Sequence, residues 1–396
     1  MGSGGREHAL AWKLAQSAGL TELHCAPGNP GIAKVGHCHP VRADDAEGLL
    51  GLARELDADL VVVGPEAPLV AGVGDALRRN GLAVFGPGRD AARIEGSKTF
   101  AKDVMRAAGV PTAETLSVAR VPCVVKADGL AAGKGVFVCR TQDELDLALQ
   151  GVAALGGGVV IEELLDGPEV SVFALCDGVN AIALPSAQDF KRAYDGDEGP
   201  NTGGMGSYSP APELDVDEVL ETVHRPVLAE LARRDSSFVG VLFAGLMHTE
   251  NGPRVLEFNC RFGDPETQSI LPLLEGNLLE ALAGAAAGDA RDIELRTSDE
   301  AAVTVVITGG DYPASNDVGS PIEGIEDAEA AGAIVFHAGT ALRGDRVVTS
   351  GGRILDVTAT GPTIAAARDR AYDAASRITF PGARYRTDIA KEAAVV

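Results

Sequence analysis

Glu257, Asn259 and Arg261 occupy alternate positions in the segment Glu257-Phe258-Asn259-Cys260-Arg261-Phe262-Gly263-Asp264-Pro265-Glu266, directly after Arg254-Val255-Leu256, which reads as a strand. Side chains alternate along a strand, so the three are predicted to share one face. A carboxylate beside an amide oxygen suits a hard cation such as Mg²⁺, which prefers oxygen ligands and bridges nucleotide phosphates. The arginine next along could hold a carboxylate or steady charge on a transferring phosphoryl group. The same residues also suit a solvated strand end with a turn at Gly263-Asp264-Pro265, so the rest of the chain must decide.

Four other stretches carry chemistry. Lys126-Ala127-Asp128-Gly129-Leu130-Ala131-Ala132-Gly133-Lys134-Gly135 joins two expected strands. Its glycines let backbone N–H groups close on anionic oxygens, and its lysines add charge. It is not a Walker A loop, since no Ser or Thr follows the lysine and a strand comes next. Ile161 to Glu169 leaves a strand with several carboxylates, able to offer backbone groups to an adenine edge and a carboxylate to ribose hydroxyls; it equally suits a plain acidic loop. Asp189, Lys191 and Arg192, followed by Gly199-Pro200-Asn201-Thr202-Gly203-Gly204-Met205-Gly206, form a long polar stretch of the kind that serves substrates. Gly2-Ser3-Gly4-Gly5-Arg6-Glu7-His8 opens a helix, where phosphate binds well. A dinucleotide fingerprint fails there, because Glu7 stands where the third glycine belongs. His37-Cys38-His39 with Cys25 has no second pair at zinc-ligand spacing and reads as structural.

These groups need a scaffold, and 396 residues supply two to four domains. Net charge is 34 − 57 = −23, which argues against nucleic-acid binding. No apolar run approaches a membrane span, no secretory leader is evident, and six scattered cysteines suit reduced thiols, so a cytoplasmic protein is expected.

The elements follow from periodicity. A helix is predicted over 6–18, with Leu10 and Leu14 on one stripe, and buried parallel strands at 60–63 and 83–85. A helix over 97–108 leads into strands at 123–126 and 135–138, a helix over 142–149, and strands at 159–161 and 170–175. Strands at 238–247 and 254–258 join through Glu250-Asn251-Gly252, a hairpin signal. Short strands at 334–336, 347–348 and 354–355 and a helix over 363–378 close the chain. The fold class expected is multidomain α/β and α+β: an N-terminal open parallel α/β sheet (1–97), a core with a small lid subdomain (98–308, lid about 119–177), and a small C-terminal α+β domain (309–396).

Taken together, Gly2 to Leu10, Ala26-Pro27-Gly28-Asn29, Val63 to Leu69, Glu95-Gly96-Ser97-Lys98, Lys126 to Val136, Gly199 to Pro210 and Glu257 to Gln268 resemble, in order and spacing, the phosphoribosylamine–glycine ligase family of the ATP-grasp superfamily. The resemblance spans nearly the whole chain. It implies ligation of glycine to 5-phosphoribosylamine at the expense of ATP, through glycyl phosphate, giving glycinamide ribonucleotide, ADP and phosphate in purine (IMP) synthesis. It further implies that Lys98 and Lys126 contact ATP phosphates and that the loop carrying Gly129, Gly133, Lys134 and Gly135 closes over them. Glu162, Glu163 and Leu165 would frame adenine, and Glu169 would bind ribose. Glu257 and Asn259 would ligate Mg²⁺ or Mn²⁺, with Arg261 and Lys126 catalytic. Gly4, Gly5, Arg6, Glu66, Asp189, Lys191, Arg192 and Asp264 are the substrate candidates, and a monomer is expected.

Two features depart from the family pattern. An apolar strand is expected ahead of the first glycine loop, where Met1 stands, so a longer natural chain or a weakened variant is expected. The 115–123 connection is short and lacks a helix. Among rivals, another ATP-grasp carboxylate–amine ligase would need a different 189–206 loop, and a nicotinamide-dependent oxidoreductase would need the missing glycine. A non-catalytic nucleotide sensor would be expected to lose Glu257, Asn259 or Arg261.

Overall fold

The computed structural model describes residues 1–130, 135–211, 214–291 and 293–395. The first helix, Gly5–Leu14, buries Leu10 and Leu14 as their spacing predicts, and it stops short of residue 18. Two parallel strand pairs lie beside it: His24–Cys25 with His37–Cys38, and Leu60–Val62 with Ala83–Phe85. Residues 1 and 2 link them, since the Met1 amino group donates to Val62 O at 2.8 Å and Gly2 N to Ala26 O at 2.8 Å. A cavity of about 500 Å³ lies among these elements, lined by leucines including Leu10, Leu49, Leu60 and Leu77.

Helix Lys98–Ala108 starts where Ser97 accepts a hydrogen bond from Phe100 N, and stops at left-handed Gly109. Such caps satisfy backbone groups that a helix end leaves unpaired. It leads to a three-stranded antiparallel sheet in the order Val136–Cys139, Cys123–Asp128, Gly158–Glu163. Helix Gln142–Leu155 packs on this sheet through Leu145, Ala148 and Val152. It runs past the expected end at 149, because Val152-Ala153-Ala154-Leu155 sustains the turn until Gly156.

A second antiparallel sheet runs Gly252–Asn259, Val239–Thr249, Glu169–Asp177, Ala181–Ala183. The hairpin turns where Glu250-Asn251-Gly252 predicts it. The third sheet runs Gln188–Asp189, Gly206–Ser209, Ala301–Thr308, Arg353–Gly361, Ile334–His337. Helix Ile364–Ala375 covers it with Ala367, Ala371 and Ala374, small side chains that permit close approach. This sheet therefore takes strands from both sides of residue 309. The stretch expected as one long loop after Asp189 contains a hairpin, Arg192–Tyr194 with Glu198–Asn201, turning through left-handed Gly196 and Asp197.

Candidate active site

The strand Gly252–Asn259 delivers Glu257 and Asn259 in register with Gly245 and Phe243. Register shifts between Gly245 and Leu246, so Leu256 has no ladder partner. Its carbonyl accepts instead from Lys126 Nζ at 2.8 Å, which ties the lid strand to the hairpin next to Glu257. Arg261 lies beyond the strand but returns to it, with Nη2 3.4 Å from Asn259 Oδ1. Its Nε stands 3.3 Å from Glu66 Oε2, and Nη2 stands 3.4 Å from Glu95 Oε1. Arg6 approaches the same Glu66 oxygen at 3.8 Å. Burial alone would push the Glu66 carboxyl up, yet Arg261 and Arg6 hold it below its ordinary value.

Lys98 starts its helix beside the glycine-rich loop. Asp128 accepts from Lys98 N at 2.6 Å and from Thr99 Oγ1 at 2.7 Å, and Lys98 Nζ donates to Gly129 O at 3.2 Å. Gly135 closes the other side, its carbonyl accepting from Ala127 N at 2.8 Å. Gly133 and Lys134 lie outside the described residues.

Glu162 is 2% exposed and bonded to two lysines: Lys126 Nζ lies 2.7 Å from Oε2 and Lys102 Nζ 2.6 Å from Oε1. Glu163 accepts from Glu114 N at 2.9 Å and from Arg254 Nη1 at 3.1 Å, fixing the connector to its neighbours. Half-buried Leu165 follows in the same connector.

Glu169 pairs with Lys191, and Asp189 lies 3.3 Å from the same ammonium. Burial works against the Lys191 charge, but Asp189 and Glu169 carry its affinity for a proton well above the usual lysine range. Burial pushes the Asp189 carboxyl up against the pull of Lys191. Burial also raises the Glu266 carboxyl to about 7, with Asp189 adding to the effect. Arg192 does not join this group. Its Nη1 donates to Gly199 O at 2.7 Å, within its own hairpin.

At the first glycine loop, Gly4 N donates to Glu7 Oε2 at 2.7 Å, and Arg6 donates to Glu7 at 2.6 Å and to Phe262 O at 3.2 Å. Gly5 faces the C-terminal sheet so closely that a Cβ there would overlap the Asp356 carboxylate. Gln268 Nε2 donates to both Asp264 Oδ1 and Asp356 Oδ2, each at 2.8 Å. Arg353 Nη2 stands 3.1 Å from Asp264 Oδ2, and Nη1 donates to Gly203 O, so one side chain gathers the Gly263-Asp264-Pro265 turn and the glycine-rich stretch.

Lys102, Gln268, Arg353 and Asp356 carry no chemistry that the sequence singles out, and Glu95 has no partner visible from its motif. The local signals were an arginine and an aspartate in a strand, 353–361, whose other side chains are uncharged, and a lysine one helical turn after Lys98. The leucine-lined cavity between the N-terminal strand pairs holds none of the lysines or hairpin residues described above.

Matching family models cover most of the chain: Phosphoribosylglycinamide synthetase N domain at residues 1–95, its ATP-grasp (A) domain at 96–267, and its C domain at 302–392. A phosphoribosylamine–glycine ligase of Streptomyces coelicolor is 54% identical, with 100% of this chain and 98% of that one covered. The chain belongs to the phosphoribosylamine–glycine ligase family. A relative of the same name from Brucella melitensis is 48% identical, covering 98% of this chain and 96% of that one. Among solved structures, a phosphoribosylamine–glycine ligase of Thermotoga maritima has a TM-score of 0.84 at 34% identity, covering 98% of each chain. A biotin carboxylase of Campylobacter jejuni in complex with an ATP analogue has a TM-score of 0.70 at 14% identity, with 99% and 97% covered, and shares the fold. The multidomain ATP-grasp architecture thus accounts for the lid sheet, the hairpin sheet and the C-terminal sheet of this family member.

Proposed function

We propose that the chain ligates glycine to 5-phosphoribosylamine using ATP, giving glycinamide ribonucleotide, ADP and phosphate in purine (IMP) biosynthesis. One observation supports the reading at the site: Lys126 of the lid strand donates to the carbonyl of Leu256, directly before Glu257, so a buried cation meets the strand that carries the candidate carboxylate and amide oxygen.

The chemistry follows from glycine's carboxylate, whose oxygen is a poor leaving group. A carboxylate oxygen attacks the γ-phosphorus and ADP departs, forming glycyl phosphate. The amine of phosphoribosylamine then attacks the acyl carbon, phosphate leaves, and a proton is released. Such a path asks the protein for positioning and charge stabilisation rather than a nucleophile of its own. Lys98 and Lys126 bind the ATP phosphates, with Gly129 and Gly135 bringing backbone close. The 162–165 connector frames adenine through its backbone and the residues after Glu162, whose two oxygens are taken by Lys102 and Lys126, and Glu169 takes the ribose. Arg261, held by two carboxylates, steadies the reacting carboxylate and phosphoryl oxygens. Arg6, Glu66, Asp189, Lys191 and Asp264 hold glycine and phosphoribosylamine around it, with the backbone of Gly4 and Gly5 at the edge of the same site.

Glu257 and Asn259 fit Mg²⁺ or Mn²⁺, because both present oxygen and no ion pair engages Glu257 among the described residues. No group of three or more His, Cys, Asp or Glu among these residues is placed to hold a metal alone, so the nucleotide phosphates would complete the set. A bound divalent ion would neutralise phosphate charge during transfer.

The domain division proposed is 1–97, 98–308 with a lid subdomain about 119–177, and 309–396. A monomer is proposed. No described helix is long and apolar enough to cross a membrane; six free cysteines suit a reducing, cytoplasmic compartment. Measuring nucleotide products with glycine and phosphoribosylamine supplied together and singly tests the reaction. ADP and phosphate are expected to accumulate in step with glycinamide ribonucleotide only when both are present. Formation of AMP and pyrophosphate would overturn the acyl-phosphate route.

A further inference from the structure

Lys102 stands one helical turn from Lys98 but points into the protein. It is 7% exposed, and its ammonium has three acceptors: Glu162 Oε1 at 2.6 Å, Thr112 Oγ1 at 2.8 Å and Ala113 O at 2.7 Å. An ammonium has three N–H donors, so none remains for a ligand. Lys126 differs. It is 5% exposed and spends two donors, on Glu162 Oε2 at 2.7 Å and Leu256 O at 2.8 Å, which leaves one without a partner among the described residues.

The three side chains form a buried row, Lys102–Glu162–Lys126, that joins the helix Lys98–Ala108 to two strands of the lid sheet. Two ammoniums against one carboxylate leave a net charge of 2 − 1 = +1. With a single lysine, the Glu162 charge would cancel it and both carboxylate oxygens would compete for its donors. Thr112 extends the row by donating to Val255 O at 2.6 Å, on the hairpin strand that carries Glu257.

We propose that Lys102 is a positioning residue for nucleotide phosphate binding: it occupies one oxygen of Glu162, so that Lys126 is held by the other with a free donor and an uncancelled charge. The assignment rests on reading Lys126 as a phosphate ligand. It gives Glu162 a definite task as the mount for Lys126, and it assigns phosphate affinity to a residue that never touches phosphate. Because Lys102 acts on the phosphate end, its loss weakens ligands that carry a phosphate chain and spares adenosine alone.

The test uses the whole chain and two probes, inorganic tripolyphosphate and adenosine, titrated by calorimetry. In Lys102→Met, tripolyphosphate affinity is expected to fall about tenfold, the scale of one charge-assisted contact, while adenosine affinity shifts less than about twofold on the same scale. Lys102→Arg keeps the charge and is expected to recover most of the loss. Lys102→Gln keeps a donor for Glu162 without the charge, and it provides the same reading if the methionine variant does not fold. Unchanged tripolyphosphate binding in the neutral variants, or equal loss for adenosine, overturns the proposal and leaves the nucleotide site standing. Absence of binding of either probe to the unaltered chain would overturn the nucleotide reading and this proposal together.

Discussion

Arg261 and Glu95 meet with Nη2 3.4 Å from Oε1, while the second Glu95 oxygen accepts the Cys260 amide at 2.9 Å. Glu95 ends the helix Arg89–Gly96, so a rigid element from the N-terminal part sets the angle at which Arg261 faces Asn259. Replacing Glu95 with Gln keeps the amide contact and removes the charge. Turnover is expected to fall roughly 10- to 100-fold, as for a misplaced catalytic group, with the melting temperature little changed because Glu66 still faces Arg261. Steady-state kinetics beside thermal melting checks this, and unchanged turnover would show that Glu95 does not orient Arg261.

Glu257→Gln separates metal binding from shape. The amide retains the volume but removes one charge from the proposed hard-cation site. Turnover is expected to drop at least ~10²-fold, the scale of one electrostatic contributor, and the fold to persist by circular dichroism. Near-normal turnover at ordinary Mg²⁺ concentration would remove Glu257 from the site.

The parts legible in the sequence are local. Leu10 and Leu14 mark a helix face, Glu250-Asn251-Gly252 marks a hairpin, and alternation places Glu257 beside Asn259. The unread parts are pairings across long sequence separations. Glu95 and Arg261 are far apart in the chain, and Gln268 meets Asp356 at a separation of 88 residues. No period or cap records such meetings, since they arise when domains pack. Lys102 shows the same limit in a short space: spacing puts it on the Lys98 face, but only the fold shows that Glu162 is waiting there.

The Asp264–Gln268–Asp356 group predicts a pH dependence. Burial, and after it the Asp264 charge, raises the Asp356 carboxyl to about 7. Burial would raise Asp264 too, but Arg353 and Arg6 hold it below its ordinary value. Below about pH 7 Asp356 therefore keeps its proton, while Asp264 is held towards the ionised form. In the unfolded chain Asp356 loses its proton near the usual ~3.9. Between that value and about 7 the folded state binds more protons, so this group's contribution to stability falls as pH rises. Asp356→Asn imitates the protonated form at every pH. It is expected to exceed the parent in stability above pH ~7 by on the order of 2 kcal/mol, and to lose the advantage towards pH ~4. Denaturant melts at both ends of that window check it, and equal pH dependence of the two chains would contradict the raised Asp356 value.

Gly5 and Asp356 give the last prediction. A Cβ on Gly5 would overlap Asp356 Oδ2 and stand 2.7 Å from Gln268 Nε2, in a region where both partners are buried. Alanine would gain up to ~1 kcal/mol of helix propensity over glycine, but less at the first helical position. Overpacking a tight site costs roughly 1–3 kcal/mol, so the clash should win. Gly5→Ala is therefore expected to melt a few degrees lower. Asp356→Ala alone should also destabilise, since it opens a cavity and leaves Gln268 without one acceptor. Combined, the two changes relieve each other, because the space vacated by the carboxylate receives the new methyl. The double variant should be more stable than the sum of the single losses by about 0.5–3 kcal/mol, the range for residues in contact. Simple additivity in that cycle would mean that Gly5 is not required by the approach of Asp356, and that another constraint in the loop demands glycine there.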